Sequence, residues 1–169
     1  EPNTLFWSQP PQLPEDDILW DIQEAGQALL GEHGYRQYET SAYAQPGRQA
    51  RHNLNYWTFG DFLGIGAGAH AKLSHADGRI LRSWKTRLPK DYLDPAKAFR
   101  AGEKQLTADE LPFEFLMNVL RLTDGVPAVL FTQRTGLALD AIAKPRRDAE
   151  ARGLLSNDPA RLVATPKGQ

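Results

Sequence analysis

The chain has 169 residues, 41% of them hydrophobic and 9% aromatic, with 20 Lys and Arg against 21 Asp and Glu. Its 14 Gly bring the apolar share close to the globular norm, which excludes a disordered tail and allows one large domain or two small ones. The absence of Cys excludes a disulfide framework, a thiolate zinc site, a cysteine nucleophile and an iron-sulfur cluster ligated by these residues.

Charge is unevenly distributed. Residues 1–34 carry seven acids and no Lys or Arg, leaving residues 35–169 with 20 basic against 14 acidic groups. That surplus suits an anionic ligand, although an ordinary solvated surface accounts for it equally well. No apolar run reaches membrane-spanning length, and Glu1-Pro2-Asn3-Thr4 lacks a signal-peptide layout. A soluble cytoplasmic protein is the expectation. The start without Met and the stop at Thr165-Pro166-Lys167-Gly168-Gln169, where Thr and Pro would open a helix, read as cuts at both ends.

In chain order, Pro14-Glu15-Asp16-Asp17 opens an amphipathic helix, with Ile18, Leu19, Ile22, Ala25, Leu29 and Leu30 at helical spacing before Gly31 and Gly34. Tyr35 to Ala44 reads as one strand ending at Gln45-Pro46-Gly47. Residues 51–57 read as a loop, and Phe62 to Gly66 as a short strand. Ala71–His75 and Arg79–Trp84 flank Asp77-Gly78, a strong hairpin signal. Pro89 to Pro95 reads as a linker. Thr107-Ala108-Asp109-Glu110 is a capping box before a helix whose face is Phe113, Leu116, Met117 and Leu120, widened by Phe115 and Val119. A short helix is expected around 126–133, another over 137–152 broken near Pro145, then strands at Leu154-Leu155 and Leu162-Val163. Three helices and a β-wing make a winged-helix pattern. The fold class expected is α/β plus mainly α.

Several chemical readings fall away on spacing alone. Gly64-Ile65-Gly66-Ala67-Gly68-Ala69 fits G-x-G-x-x-A as a string, but no helix follows it and residues 79–90 contain no Asp or Glu. What remains is tight strand packing or close approach of a flat ligand. His33, His52, His70 and His75 lack zinc-helix spacing, and no G-x-S-x-G elbow is present. Arg51-His52-Asn53-Leu54-Asn55-Tyr56-Trp57 is the unusual stretch. Its planar side chains suit a planar ligand, and a neutral imidazole can ligate haem iron. An isolated His beside Asn serves more often as a hydrogen-bonded structural residue.

Tyr38-Glu39-Thr40-Ser41-Ala42-Tyr43-Ala44, the H-N-x-x-Y-W string at His52–Trp57 and Gly60-Asp61-Phe62-Leu63-Gly64-Ile65-Gly66-Ala67-Gly68-Ala69-His70 together resemble the radical-SAM haem chaperone family, itself similar to oxygen-independent coproporphyrinogen III oxidase. The likeness extends from Asn3-Thr4-Leu5-Phe6 with Pro10-Pro11, through Leu111-Pro112-Phe113-Glu114-Phe115, to Arg134-Thr135-Gly136-Leu137.

The resemblance implies the closing strands of a partial (β/α) radical-SAM barrel over residues 1–92, then a small, truncated winged-helix-like domain over 93–169. S-adenosylmethionine and a [4Fe-4S] cluster, held by a cysteine loop upstream of Glu1, would belong to the full-length protein. The segment alone would have no radical chemistry and would expose apolar surface that the complete protein covers. The implied function is binding haem and delivering it to haem-dependent proteins, membrane-associated respiratory proteins among them, and a homodimer is compatible with this.

By the same resemblance, haem contact falls on His52, Asn53, Tyr56 and Trp57, with His52 as the iron ligand. Gly64, Gly66, Gly68 and His70 would line the S-adenosylmethionine side. Relatives with Cys before the Arg-His-Asn segment and in the glycine strand differ from this chain, which has Ala50 and Ala67. Two rivals stand beside this reading. One is coproporphyrinogen III dehydrogenase, removing two propionates oxidatively. The other is a winged-helix nucleic-acid module using Lys144, Arg146, Arg147 and Arg152 on phosphates, although Asp140, Asp148 and Glu150 dilute its charge and no nucleic acid is expected.

Overall fold

The computed structural model describes residues 4–169. Glu1, Pro2 and Asn3 lie outside the described residues, and with them the first residue of the Asn3-Thr4-Leu5-Phe6 likeness. The architecture is mixed α/β with three small antiparallel sheets.

A one-turn helix α1 (Leu5–Ser8) precedes α2 (Asp16–Glu32), whose Asp16 and Asp17 complement the positive end of the helix dipole. The expected amphipathic helix therefore forms, yet none of its residues is buried, and Ile18, Ile22 and Leu29 are each half-exposed or more. Strands β1 (Arg36–Glu39) and β2 (Ala42–Ala44) pair as a hairpin through Thr40-Ser41. The single strand expected over residues 35–44 is thus two. Side-chain alternation continues across a tight turn, so alternation alone could not reveal it.

Residues 51–57 are helical, not a loop, and form α3 (Arg51–Trp57). The strand expected at Phe62–Gly66 reduces to one bridge, Phe62 to Lys72. Strands β3 (His70–Ser74) and β4 (Ile80–Lys85) form the hairpin signalled by Asp77-Gly78, with Gly78 at φ 86. Past the helical turn α4 (Pro89–Tyr92), where a linker was expected, β5 (Arg100–Gln105) returns to pair with β4.

Helix α5 (Leu111–Val119) starts after Thr107, whose N–H and hydroxyl both donate to the Glu110 carboxylate, the reach-back half of a capping box. Its buried stripe is Leu111, Phe115 and Val119, while Phe113 and Met117 point outward at 69% and 57% exposure. Of the expected face, Phe115 and Val119 are buried and Leu116 and Leu120 pack against the core, while Phe113 and Met117 do not, because this helix is apolar on two sides. The choice between them falls to its partners: Phe115 packs edge-on against Phe59 at 5.6 Å and Phe131 at 5.3 Å.

Strand β6 (Val126–Pro127) pairs with β7 (Arg161–Leu162), and the bridge Leu155 to Ala164 lies beyond it. The short helix α6 (Val129–Thr135) begins after β6, not at residue 126, and ends at left-handed Gly136. The helix expected over 137–152 is a 3-10 turn (Leu139–Ile142) followed by α7 (Ala143–Ala151). Pro145 sits in the first turn of α7, where its missing N–H leaves no bond unmade, so the helix starts near it and is not broken by it. The core joins these parts: Phe59, Ile80, Phe115, Phe131, Ile142 and Leu162 pack in one cluster.

Candidate functional site

The four-residue spacing of His52 to Tyr56 and of Asn53 to Trp57 acquires meaning once residues 51–57 are a helix. Residues i and i+4 share a face, so the motif divides into two pairs. His52 and Tyr56 meet edge-to-face, ring centroids 4.7 Å apart, with His52 exposed. Tyr56 in turn stacks on Phe62 at 4.1 Å. The other pair turns inward. Asn53 Nδ2 donates to the Tyr38 hydroxyl at 3.0 Å, and Trp57 packs against the core beneath the Arg121 guanidinium. The Trp57 indole N–H is buried without a hydrogen-bond partner among the described residues.

The helix is stopped by geometry that sequence reasoning did not anticipate. Phe59 N–H bonds to Tyr56 O and Gly60 N–H to Asn55 O, the paired bonds of a Schellman motif. Its left-handed position is held by Phe59, at φ 57, in place of glycine. Gly60 is needed for a different reason: a Cβ there would lie 2.1 Å from Asn55 Oδ1.

Beyond Gly60 the chain runs along β3. Asp61 Oδ1 accepts from Lys72 Nζ at 2.8 Å and from Ser74 Oγ at 2.9 Å, and Oδ2 accepts from Ser74 N–H at 2.9 Å. Lys72 is 1% exposed, and its ammonium also lies over the Phe59 ring. Burial pushes the Asp61 carboxyl up, but the hydrogen bonds from Lys72 and Ser74 outweigh it and hold the group below the ordinary carboxylate range. Lys72 moves down because desolvation exceeds the help from Asp61.

The glycine stretch is a turn and not a phosphate cradle. Gly64 lies against the His70 carbonyl, Gly66 N–H donates to the Tyr92 hydroxyl at 3.3 Å, and Gly68, at φ 71, belongs to a turn closed by Ala69 N–H on Gly66 O. His70 is the first residue of β3, and it shares an open hollow of about 430 Å³ with Ala67, Gly68, Trp84, Lys85 and Arg87. The four residues of this group are therefore neighbours. They connect to the aromatic face through the Phe62–Lys72 bridge.

Among the described residues no group of three His, Asp or Glu is arranged to hold a metal ion. With no thiolate in the chain either, these residues do not fit a [4Fe-4S] cluster. Of the cations considered for nucleic-acid contact, Arg146 is committed inward, to Glu150 and to the Asp158 carbonyl. Phe62, Asp61 and Asn55 were missed by the motif reading. The discoverable signal was the i, i+4 pairing, which marks a helix that must then turn back on itself at Gly60.

Residues 106–169 match the family described as the HemN C-terminal domain. Over 156 residues the chain is 52% identical to "Heme chaperone HemW" of Escherichia coli strain K12, covering 92% of this chain and 41% of that protein. It is 35% identical over 160 residues to "Heme chaperone HemW" of Mycobacterium tuberculosis, and 28% identical over 177 residues to that of Bacillus subtilis. Among solved structures it is similar to "Coproporphyrinogen III oxidase (HemN) from Escherichia coli is a Radical SAM enzyme", with a TM-score of 0.64 at 18% identity, over 92% of this chain and 39% of that one. The chain thus spans 41% of the length of the first of these relatives. No helix among the described residues is long and apolar enough to cross a membrane.

Proposed function

We infer that the chain is the C-terminal portion of a haem chaperone, on its 52% identity to two such proteins and its match to the HemN C-terminal domain, and that it holds haem as cargo for delivery to haem-dependent proteins. The observation that carries this reading is the exposed His52 imidazole at the end of a stacked Tyr56–Phe62 surface. A flat apolar porphyrin face loses little by leaving water for such a surface, and an imidazole lone pair can occupy an axial position on iron. Asn53 and Trp57, named with them by the motif, act from behind by fixing the helix to Tyr38 and the core. In this reading His52 and Tyr56 touch the cargo, and Asn53 and Trp57 hold the helix that presents them.

The same proposal covers the architecture around the site. Residues 1–92 would be the closing part of a partial radical-SAM barrel and residues 93–169 a winged-helix-like domain. Gly64, Gly66, Gly68 and His70 would line the S-adenosylmethionine side. The open space at Gly66 and the hollow lined by Gly68 and His70 support a surface that a flat ligand can lie against, while Gly64 is packed on the His70 backbone. The cofactor, where present, supplies the 5′-deoxyadenosyl radical chemistry of the full-length protein. Haem-accepting proteins are the partners expected, in the cytoplasm or at a membrane surface, and the chaperone would work alone or as a homodimer.

The test is a haem titration of the intact protein followed in the Soret band. Saturable binding that loses its histidine-ligated signature in His52→Ala bears the reading out; an unchanged spectrum and affinity in that variant remove the ligand assignment.

A further inference from the structure

We propose that Asp61 is a positioning residue for the His52–Tyr56 face, clamping the helix that carries it to the sheet beneath. The inference rests on the reading of that face as the haem contact, and it adds residues that the H-N-x-x-Y-W string does not name.

Asp61 is tied in two directions at once. Its carboxylate is bound to β3 by the Lys72 ammonium and by the Ser74 N–H and hydroxyl. Its backbone carbonyl accepts from Asn55 Nδ2 at 2.8 Å, and Asn55 is one of the unspecified positions of the motif, on α3 itself. The next residue, Phe62, exchanges both backbone hydrogen bonds with Lys72, at 2.9 and 3.0 Å. Its ring is the platform on which Tyr56 stacks, and Tyr56 meets the edge of His52. The sequence of contacts therefore runs from the pair of buried Lys72 and exposed Asp61, through Phe62, to the imidazole at the surface.

A buried ammonium is costly, and an apolar residue at position 72 would spare the chain that cost. What the pair supplies is a fixed register between residue 61 and β3, since a carboxylate receiving three donors has one arrangement that satisfies all of them. Phe62 cannot then slide relative to Tyr56. Ligand groups at a metal are held by such outer contacts, and loosening them weakens binding without touching the ligand itself.

The experiment uses the intact protein with isotope-labelled histidine, alone and titrated with haem. In Asp61→Ala the His52 ring resonance, set by the adjacent Tyr56 ring, moves towards that of a free histidine. The haem Kd rises about tenfold and the histidine-ligated Soret signature weakens. Asp61→Asn, which keeps one acceptor oxygen, gives a smaller change in the same direction. Asp77→Ala, which breaks only exposed contacts of Asp77 with the Arg79 guanidinium and backbone N–H at the far turn of the hairpin, leaves all three readouts in place. A folded Asp61→Ala protein with the His52 resonance unmoved and haem affinity within about twofold of the parent overturns the proposal. Should Asp61→Ala not fold, the same comparison on Asp61→Asn decides. If the parent shows no saturable Soret change while the resonance still moves in the variants, the clamp stands and the haem reading falls.

Discussion

The Arg121 guanidinium lies over the Trp57 indole, 4.3 Å from the ring centroid, while its Nη2 reaches the Glu39 carboxylate and the Ser41 hydroxyl, each at 3.2 Å. One side chain thus joins α3, the β1–β2 hairpin and the end of α5. Glu39 is 2% exposed, so removing its partner leaves a carboxylate without water or counter-charge. Arg121→Ala is expected to destabilise the protein by about 2–3 kcal/mol. Adding Glu39→Gln should recover part of that loss, measured as a coupling in a double-mutant cycle by chemical denaturation. Additive effects would show that the pair is not coupled.

The division of the motif into two faces predicts that its residues fail differently. His52 is exposed, so His52→Ala should change unfolding stability by about 0.5 kcal/mol or less while removing the histidine-ligated Soret signature. Asn53→Ala loses the bond to Tyr38 and should cost about 1 kcal/mol with the iron ligand still in place. Denaturation midpoints and haem spectra, taken on the same samples, separate the two. Equal stability losses in both variants would contradict the division.

What could be read from the chain and what could not differs by the range of the interaction that decides it. Asp77-Gly78 specified its hairpin because the turn's backbone demands are local. The capping residues Thr107 and Glu110 were legible for the same reason. Helix α3 was not, because each of its two faces mixes an aromatic with a polar side chain, His52 with Tyr56 and Asn53 with Trp57, so the usual apolar periodicity is missing. The outward turn of Phe113 on α5 was also out of reach: Phe113 and Phe115 are equally apolar, and the choice between them depends on Phe59 and Phe131, more than fifteen residues away in either direction. Lys72 is the extreme case. Nothing in a strand of mixed pattern marks a lysine that will be buried on an aromatic ring, since the carboxylate that permits it arrives from outside the strand.

Two glycines of the G-x-G-x-G stretch should respond in opposite proportion to their backbone angles. At Gly64 a Cβ would sit 2.3 Å from the His70 carbonyl oxygen, so Gly64→Ala must displace backbone and should cost about 2–3 kcal/mol. Gly66 has φ 103 but open space around it, and Gly66→Ala should cost about 1 kcal/mol. Thermal unfolding of the pair ranks them. If Gly66→Ala is the worse, conformational strain and not packing governs the stretch.

Acid sensitivity has an identifiable source at the start of α5. The Lys104 hydrogen bond, helped by the Thr107 N–H and hydroxyl, holds the Glu110 carboxyl down to about 2 from its ordinary 4.5. Between those values the unfolded chain binds a proton that the folded one does not. The stabilisation is therefore complete above about pH 4.5 and is lost as pH falls towards 2. Glu110→Gln should flatten the acid limb of a stability-against-pH curve over that window and leave the neutral region parallel to the parent. An unchanged acid limb would assign the sensitivity to other carboxylates.

Phe59 reverses an ordinary ranking. It occupies the left-handed position that closes α3, where an L side chain is strained, yet its ring is 1% exposed between Phe115 and the Lys72 ammonium. Truncation to Ala loses the ring and keeps the strain, at about 3–5 kcal/mol. Truncation to Gly loses the same ring but releases the backbone, so Phe59→Gly should be the more stable of the two by about 1 kcal/mol, opposite to the usual penalty of glycine against alanine. Both variants also remove the aromatic face beneath Lys72. The Lys72–Asp61 pair then holds an ammonium without its ring, and the His52 resonance should shift in both, by similar amounts despite their different stabilities. A shift that instead followed stability would mean that His52 senses the loosening of the whole fold and not the loss of this one ring.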